Sequence, residues 1–420
     1  MPQRPVQPAT RRRNRAAALS LVLIALAAAG CSRRGELPNV LYVSIGSYSE
    51  KSIDTDLIEG FRKRLGGLEY GYRELHPATR FQFTVDPEAD LVSIMRRRTR
   101  AGLGPDLLVV NGDTSRQLLE AGVSDPYPAD AARLASLHPS DAQRLSDRHG
   151  RLSGLPLLVQ TQLACYNRSR LPTAPANLNE LLKAGARRHP LGLTTELGEL
   201  FWTAGSLGAI DGLAQALAGR QPSTQQRQGI QNWLTWLQEA NNQMWVTFFG
   251  SQSSMDNEFV AGRLDWMPCR STSVPTLRKR LGNNLGVAPL PSGPSGPASP
   301  INRLRVLVLG KNSSAQGRRR ALAFGHYALN PLSQRTLTVG SQTVLPANRY
   351  VTVPIGSSAT LRAMATAAHD GLQANPIIRL VHTSDPRIPA VQTVLTGVVF
   401  GELAPRSATT QLIRALRPQR

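Results

Sequence analysis

Pro105-Asp106-Leu107-Leu108-Val109-Val110-Asn111-Gly112-Asp113-Thr114 is the stretch on which the fold turns. Four consecutive apolar residues leave no solvent face, so they read as a strand buried on both sides. Asn111-Gly112-Asp113-Thr114 then turns the chain into a helix carrying Leu118 and Leu119, which Gly122 ends. A similar run, Val40 to Ile45, stands upstream; it breaks at Gly46 and leads to a helix with Leu57, Ile58, Phe61 and Leu65 on one face. Between them, Asp86-Pro87 reads as an N-cap followed by Pro at the first helical position. Leu91, Ile94 and Met95 line that helix and Gly102 stops it. Strands alternating with helices, the strands apolar throughout, mean a parallel α/β sheet. Loops leaving the C-terminal ends of such strands form the ligand crevice, which singles out 46–50 and 111–115.

Farther along, Leu155 to Tyr166 is an extended apolar run, and Asn177-Leu178-Asn179-Glu180 resembles a capping box that opens a helix. Pro289 to Pro300 is dense in Pro, Gly and Ser and reads as a crossing segment. Leu304 to Leu309 is a strand, Ala315 to Leu329 a helix, and the chain beyond 350 is mostly helical.

At the start, Arg11, Arg12, Arg13 and Arg15 precede an uncharged run from Ala16 to Ala29. That run is too short to span a bilayer but fits the apolar part of an export signal. Ala28-Ala29-Gly30-Cys31 places small residues before a cysteine, the lipobox pattern, with Ala28 where such boxes prefer Leu. Residues 1–30 are therefore expected to be a signal peptide, Cys31 a lipidated N-terminus and 31–37 a tether. Removing thirty residues from 420 leaves 390, more than a single core accommodates, so two domains are expected.

The net charge is +21, and +16 without the five arginines of the first thirty residues. This balance suits nucleic acid or an anionic surface. The basic residues are scattered, however, and the tight runs at Arg96–Arg100 and Arg318–Arg320 fall on predicted helices, as solvated faces do. With an export signal and no nucleic-acid motif, nucleic acid is not expected as a partner. No nucleophile elbow, zinc-protease helix or phosphate loop occurs, and the seven histidines lack ligand spacing, so neither an enzyme nor a metal or other cofactor is expected. Cys165 and Cys269 remain after Cys31; an exported compartment permits a disulfide, and two buried thiols fit equally well.

The order of motifs resembles that of the family 1 extracellular solute-binding proteins. Pro105 to Val110 with Gly122-Val123-Ser124-Asp125-Pro126-Tyr127 is similar to the family's "PDvv … G-l-x-PL". Gly154-Leu155-Pro156 through Tyr166-Asn167-Arg168 resembles its hinge strand, "GlP … l-YNk". Asn177 to Leu182, Phe259 to Met267, Ala288 to Gly296, Ala321 to Thr336, Val344-Leu345-Pro346 and Gly401 to Ala408 follow in the family's order. Asp265 and Trp266 depart from it, standing where the family has a small residue and Met.

The resemblance implies a type 2 periplasmic-binding-protein-like α/β fold, two α/β lobes joined by a multi-crossing hinge. Lobe one is expected over 38–160 plus 291–343, and lobe two over 161–290 plus 344–420. It implies a monomeric receptor that hands a small solute, a sugar or glycosyl osmolyte, to the permease and ATPase subunits of an ABC importer. Site residues carried over are Asp113 with Thr114 beside it, Gln160 at the hinge, Glu196 and Trp202 on a second-lobe loop, Arg270 and Thr272 after a strand, and Arg387. Topology adds Tyr48. Two alternatives stand beside this reading: an anionic or mixed solute held by Arg270 and Arg387, and a lipoprotein that keeps the fold as an interaction scaffold.

Overall fold

The computed structural model describes residues 39–47, 66–128, 130–147, 149–381 and 385–418. The signal segment, Cys31, the tether, Tyr48 and the start of the helix predicted from Leu57 lie outside them; 66–75 are helical. The described strands, in chain order, are β1 (Asn39–Ser47), β2 (Thr79–Pro87), β3 (Leu107–Asn111), β4 (Ser124–Asp125), β5 (Leu155–Gln160), β6 (Gln162–Asn167), β7 (Leu191–Thr194), β8 (Val246–Phe249), β9 (Trp266–Arg270), β10 (Leu285–Ala288), β11 (Arg303–Gly310) and β12 (Leu345–Pro346).

They form two sheets. The first has the order β12-β5-β11-β3-β1-β2, with β4 also paired to β11. In it β1 is parallel to β2 and β3, and β11 runs antiparallel between β3 and β5. The second has the order β10-β6-β9-β7-β8, with β7 parallel to β8 and β9, and β6 antiparallel to β9 and β10. Every residue of β3 is buried, as its unbroken apolar run requires. The second sheet packs on helices 202–206, 210–217, 224–241, 388–399 and 405–416, around Phe201, Trp202, Trp233 and Trp266. Among the described residues no helix is long and apolar enough to cross a membrane.

Asp86-Pro87 does not start a helix. The pair ends β2, which lies parallel to β1 over nine residues, and the helix Leu91–Arg100 begins after Asp90. Arg98 grips Asp86 through two hydrogen bonds of 2.7 and 2.8 Å, and the Ser44 hydroxyl donates a third. The carboxylate is thus committed to a strand hydroxyl and to the guanidinium of Arg98 on the following helix, rather than to a helix N-terminus. Gly102 and Gly122 do take the left-handed conformation just past their helices, at φ of 69° and 68°.

The apolar run from Leu155 to Tyr166 is two strands, split at Thr161 where the chain passes from the first sheet to the second. Ser271 ties this crossing to another. Its backbone N–H donates to Thr161 O (2.9 Å), its hydroxyl to Thr343 O (2.7 Å), and the Thr161 N–H reaches the same hydroxyl (3.3 Å). Two contacts lie at the borders of the expected lobes. Leu345 and Pro346 join the first sheet through β5. Ser299 packs on the second lobe, its hydroxyl donating to Phe201 O (2.8 Å) and accepting from the Gly205 N–H (2.9 Å). Cys165 and Cys269, on neighbouring strands β6 and β9, form a disulfide with Cα atoms 5.8 Å apart.

Candidate functional site

The C-terminal ends of β1 and β3 meet at a buried ion pair. Glu88, just past β2, accepts the Asn111 N–H (2.6 Å) and an Arg305 N–H (2.9 Å). Arg305 also donates to the carbonyls of Gly46 (2.8 Å) and Val109 (2.7 Å). Both side chains are almost inaccessible, 7% and 3%. The four strand ends are therefore held in fixed relation, which a recognition site needs. Gly46 is required here, because a Cβ would lie 2.8 Å from the Glu88 carboxyl.

Asn111 caps the helix Gly112–Glu120 by accepting from the N–H groups of Asp113 and Thr114, both at 2.9 Å. The Asp113 side chain is not the cap. It accepts from Gln117 Nε2 (2.6 Å) and lines a cavity of about 320 Å³. On the same side stand Arg116, and Gln143 and Arg144 of the helix Pro139–Leu145. Asn375 and Ile378 face them from the 3-10 segment Gly371–Val381, part of the second lobe's core. The walls thus belong to different lobes. Thr114 is only 5% exposed, packed beneath the helix rather than lining the cavity.

Lobe two presents a second polar group at the ends of β7 and β9. Glu199 is 0% exposed. One carboxylate oxygen takes N–H groups from Arg270 and Arg303, each at 2.7 Å, and the other accepts from Gln162 Nε2 (2.6 Å). Burial raises the pKa of this carboxyl, but the two guanidiniums together outweigh burial and hold it below the usual range. Glu196 accepts from Arg270 (3.2 Å) and from the Gln252 N–H (3.1 Å). Burial, then the neighbouring Glu199 charge, pushes its pKa up. Burial also lifts Asp256 to about 6, against hydrogen bonds from Gln252 (2.7 Å) and Ser273 (3.3 Å). Arg270, partly exposed, is thereby paired with two carboxylates. Thr272 sits half-buried in the turn Ser271–Ser273.

Gln160 ends β5 opposite Arg303, while Asn111 ends β3 opposite Arg305. Gln160 and the Asp113 turn thus flank the start of β11 on one sheet edge. Two expected residues lie elsewhere. Trp202 is 0% exposed, packed against Trp266 with ring centroids 6.1 Å apart, so in this conformation it serves the core and cannot stack on a solute. Arg387 forms a two-bonded pair with Asp385 (2.8 and 2.6 Å) and donates to Leu416 O (3.1 Å), clamping the helix ends of lobe two. Arg116, Gln143, Arg144 and Asn375 were not legible in the sequence. Nothing in their spacing separates cavity-facing polar residues from solvated ones.

No protein-family model matches the sequence, and no curated protein matches it. Solved structures do match. The GacH receptor of Streptomyces glaucescens, described unliganded and with acarbose, superposes with a TM-score of 0.66 at 16% identity, covering 89% of this chain and 97% of that one. The chain has the fold of the two-lobed solute-binding proteins. The maltodextrin-binding protein MalE1 of L. casei BL23 gives 0.66 at 14% identity, over 90% of this chain and 99% of that one. An ABC transporter solute-binding protein of Thermotoga lettingae, bound with α-D-tagatose, gives 0.63 at 15%, over 90% and 100%. These neighbours are binding proteins rather than enzymes.

Proposed function

We propose that the protein is the solute receptor of an ABC importer, capturing a sugar-like molecule between its lobes without chemical turnover. The observation that carries this reading is the polar cavity with one wall on the 112–116 and 140–144 segments and the other on 375–378. A solute in that position contacts both lobes at once, so its binding energy favours the closed form. Each sugar hydroxyl loses water on entry and regains a hydrogen bond, donating to Asp113 or exchanging one with the Gln143 or Asn375 amide, at about 1 kcal/mol net apiece. Gln160 and Glu196 extend the polar edge on either side of the hinge. Cys31 carries the lipid that holds the receptor on the outer side of the membrane, and the permease and ATPase are its partners. A thermal-shift screen of mono- and disaccharides tests the reading. A ligand at a hundred times its dissociation constant adds about 2.7 kcal/mol to stability. Asp113→Ala is expected to remove most of the shift while leaving the unliganded melting temperature near wild type. A hit sugar consumed during incubation refutes the receptor reading.

A further inference from the structure

The end of the first sheet where β1 begins lies away from the strand ends that face the candidate site. β1 and β2 start there side by side, with Val40 opposite Arg80. The helix Ala315–Ala328 starts at the same end: Gln316 Nε2 donates to Asn39 Oδ1 (3.5 Å), and Arg320 donates to Val40 O (2.6 Å). The loop before that helix meets the end of the helix Leu91–Arg100, where Asn312 donates to Thr99 O. The helical segment that ends at Leu75 closes the other side, its Tyr72 ring centroid 6.0 Å from that of Phe81 and 5.3 Å from that of Phe324. Arg80, Arg97, Arg100 and Arg319 are exposed at this end, and none has an ion-pair partner among the described residues. Several nearby acids are already bound. Asp125 is shared by Lys311 and Arg318, Glu69 pairs with Arg73, and Asp106 accepts from Ser313 and from the Tyr42 N–H (3.1 Å). Glu74 and Glu120, at neighbouring helix ends, are exposed. Leu75 and Leu103 stand at the same end, 66% and 67% exposed. The strand they surround leads back to Cys31. Residues 31–38 can span at most about 29 Å, and they add Arg33 and Arg34 against one acid, Glu36. The stretch 48–65 carries four acids and four bases, a net charge of zero.

We propose that this end of the protein docks on an anionic lipid surface. Arg80, Arg97, Arg100 and Arg319 meet the lipid phosphates, and Leu75 and Leu103 reach the boundary between headgroups and acyl chains. The contact goes beyond the receptor reading and draws its effect from the anchoring proposed for Cys31, because a short tether turns a weak surface contact into an intramolecular one. Untethered, it is screened at physiological salt, so it orients the anchored chain and does not replace the anchor. Co-sedimentation of the chain from residue 31 onward, carrying Cys31→Ser so that no lipid contributes, tests the proposal. At about 0.05 M salt it is expected to bind vesicles of phosphatidylcholine and phosphatidylglycerol in equal parts about tenfold or more tightly than vesicles of phosphatidylcholine alone, and to lose most of that preference at about 0.5 M salt. An Arg80→Gln, Arg319→Gln double variant should bind the anionic vesicles about tenfold more weakly. Arg406→Gln with Arg414→Gln removes the same two charges from an exposed face of the helix Pro405–Leu416 in the second lobe, and should change binding less than about twofold. Leu75→Ser with Leu103→Ser should weaken binding about fivefold. All three variants replace exposed side chains and should melt near the wild-type temperature. Equal binding to both vesicles, equal losses in the two arginine variants, or full binding by the leucine variant overturns the proposal. None of these outcomes touches solute capture, which the sugar screen reads, or lipidation, which fractionation of the Cys31→Ser variant reads.

Discussion

Glu199 holds two guanidiniums on one carboxylate oxygen, with no solvent in reach. Removing its charge leaves Arg303 buried beside a neutral amide, because Arg270 can fall back on Glu196 and Arg303 cannot. Glu199→Gln is therefore expected to cost about 3 kcal/mol, read from the denaturant midpoint. Asp256 behaves in the opposite sense. Its folded-state pKa, about 6, stands above the ordinary 3.8, so the folded protein binds the proton more tightly than the unfolded chain. Stability on its account is greatest below about pH 4 and falls as pH rises through 6. Asp256→Asn should accordingly gain about 1–2 kcal/mol at pH 7 and nothing at pH 4, in paired melts across that range. A gain of equal size at both values would mean that packing, not charge, was altered.

The strands and their caps show how far local sequence carries. β1, β3 and β11 are runs that no solvated surface could accommodate, and Asn177 caps the helix Leu178–Ala186 by accepting the Glu180 N–H (2.9 Å), as its spacing suggests. The alternation of Phe81, Phe83 and Val85 with Arg80, Gln82 and Thr84 is a legible strand pattern, and β2 escapes only a reading that takes Asp86-Pro87, which imitates a helix start, as the first signal of the segment. At the candidate site, the place of Asp113 beside the cavity was legible from its position after a buried strand. The packing of Trp202 and the pairing of Arg387 with Asp385 were not, because a motif fixes a position along the chain and not the direction of a side chain. The pairing of Cys165 with Cys269 depends on β6 lying beside β9 across 104 residues, which no local pattern records. Closing so long a loop restricts the unfolded chain, and a Cys165→Ser, Cys269→Ser double variant should lose about 2–5 kcal/mol. Reductant should lower the wild-type midpoint and leave that variant's unchanged.

For the molecule as a whole, the proposed anchor and the proposed capture are separable. Cys31→Ser is expected to release the protein from the membrane, seen by fractionation, while solute affinity measured on the released chain stays at the wild-type value. Loss of both together would tie Cys31 to folding instead of attachment. The crossings between the lobes converge where Ser271 bonds Thr161 and Thr343, close to the carboxylate that Arg270 and Arg303 share. Arg270 ends a strand of one sheet and Arg303 begins a strand of the other. The enclosed Glu199 and Arg303 charges cannot be pulled apart cheaply, so a swing of one lobe against the other would leave this pair nearly still. In the proposed closure it would serve as an axle. Motion grows with distance from it, so a few degrees of turn at Glu199 become the widest travel at the outer rims of the lobes, and the mouth can shut while its bearing stays dry.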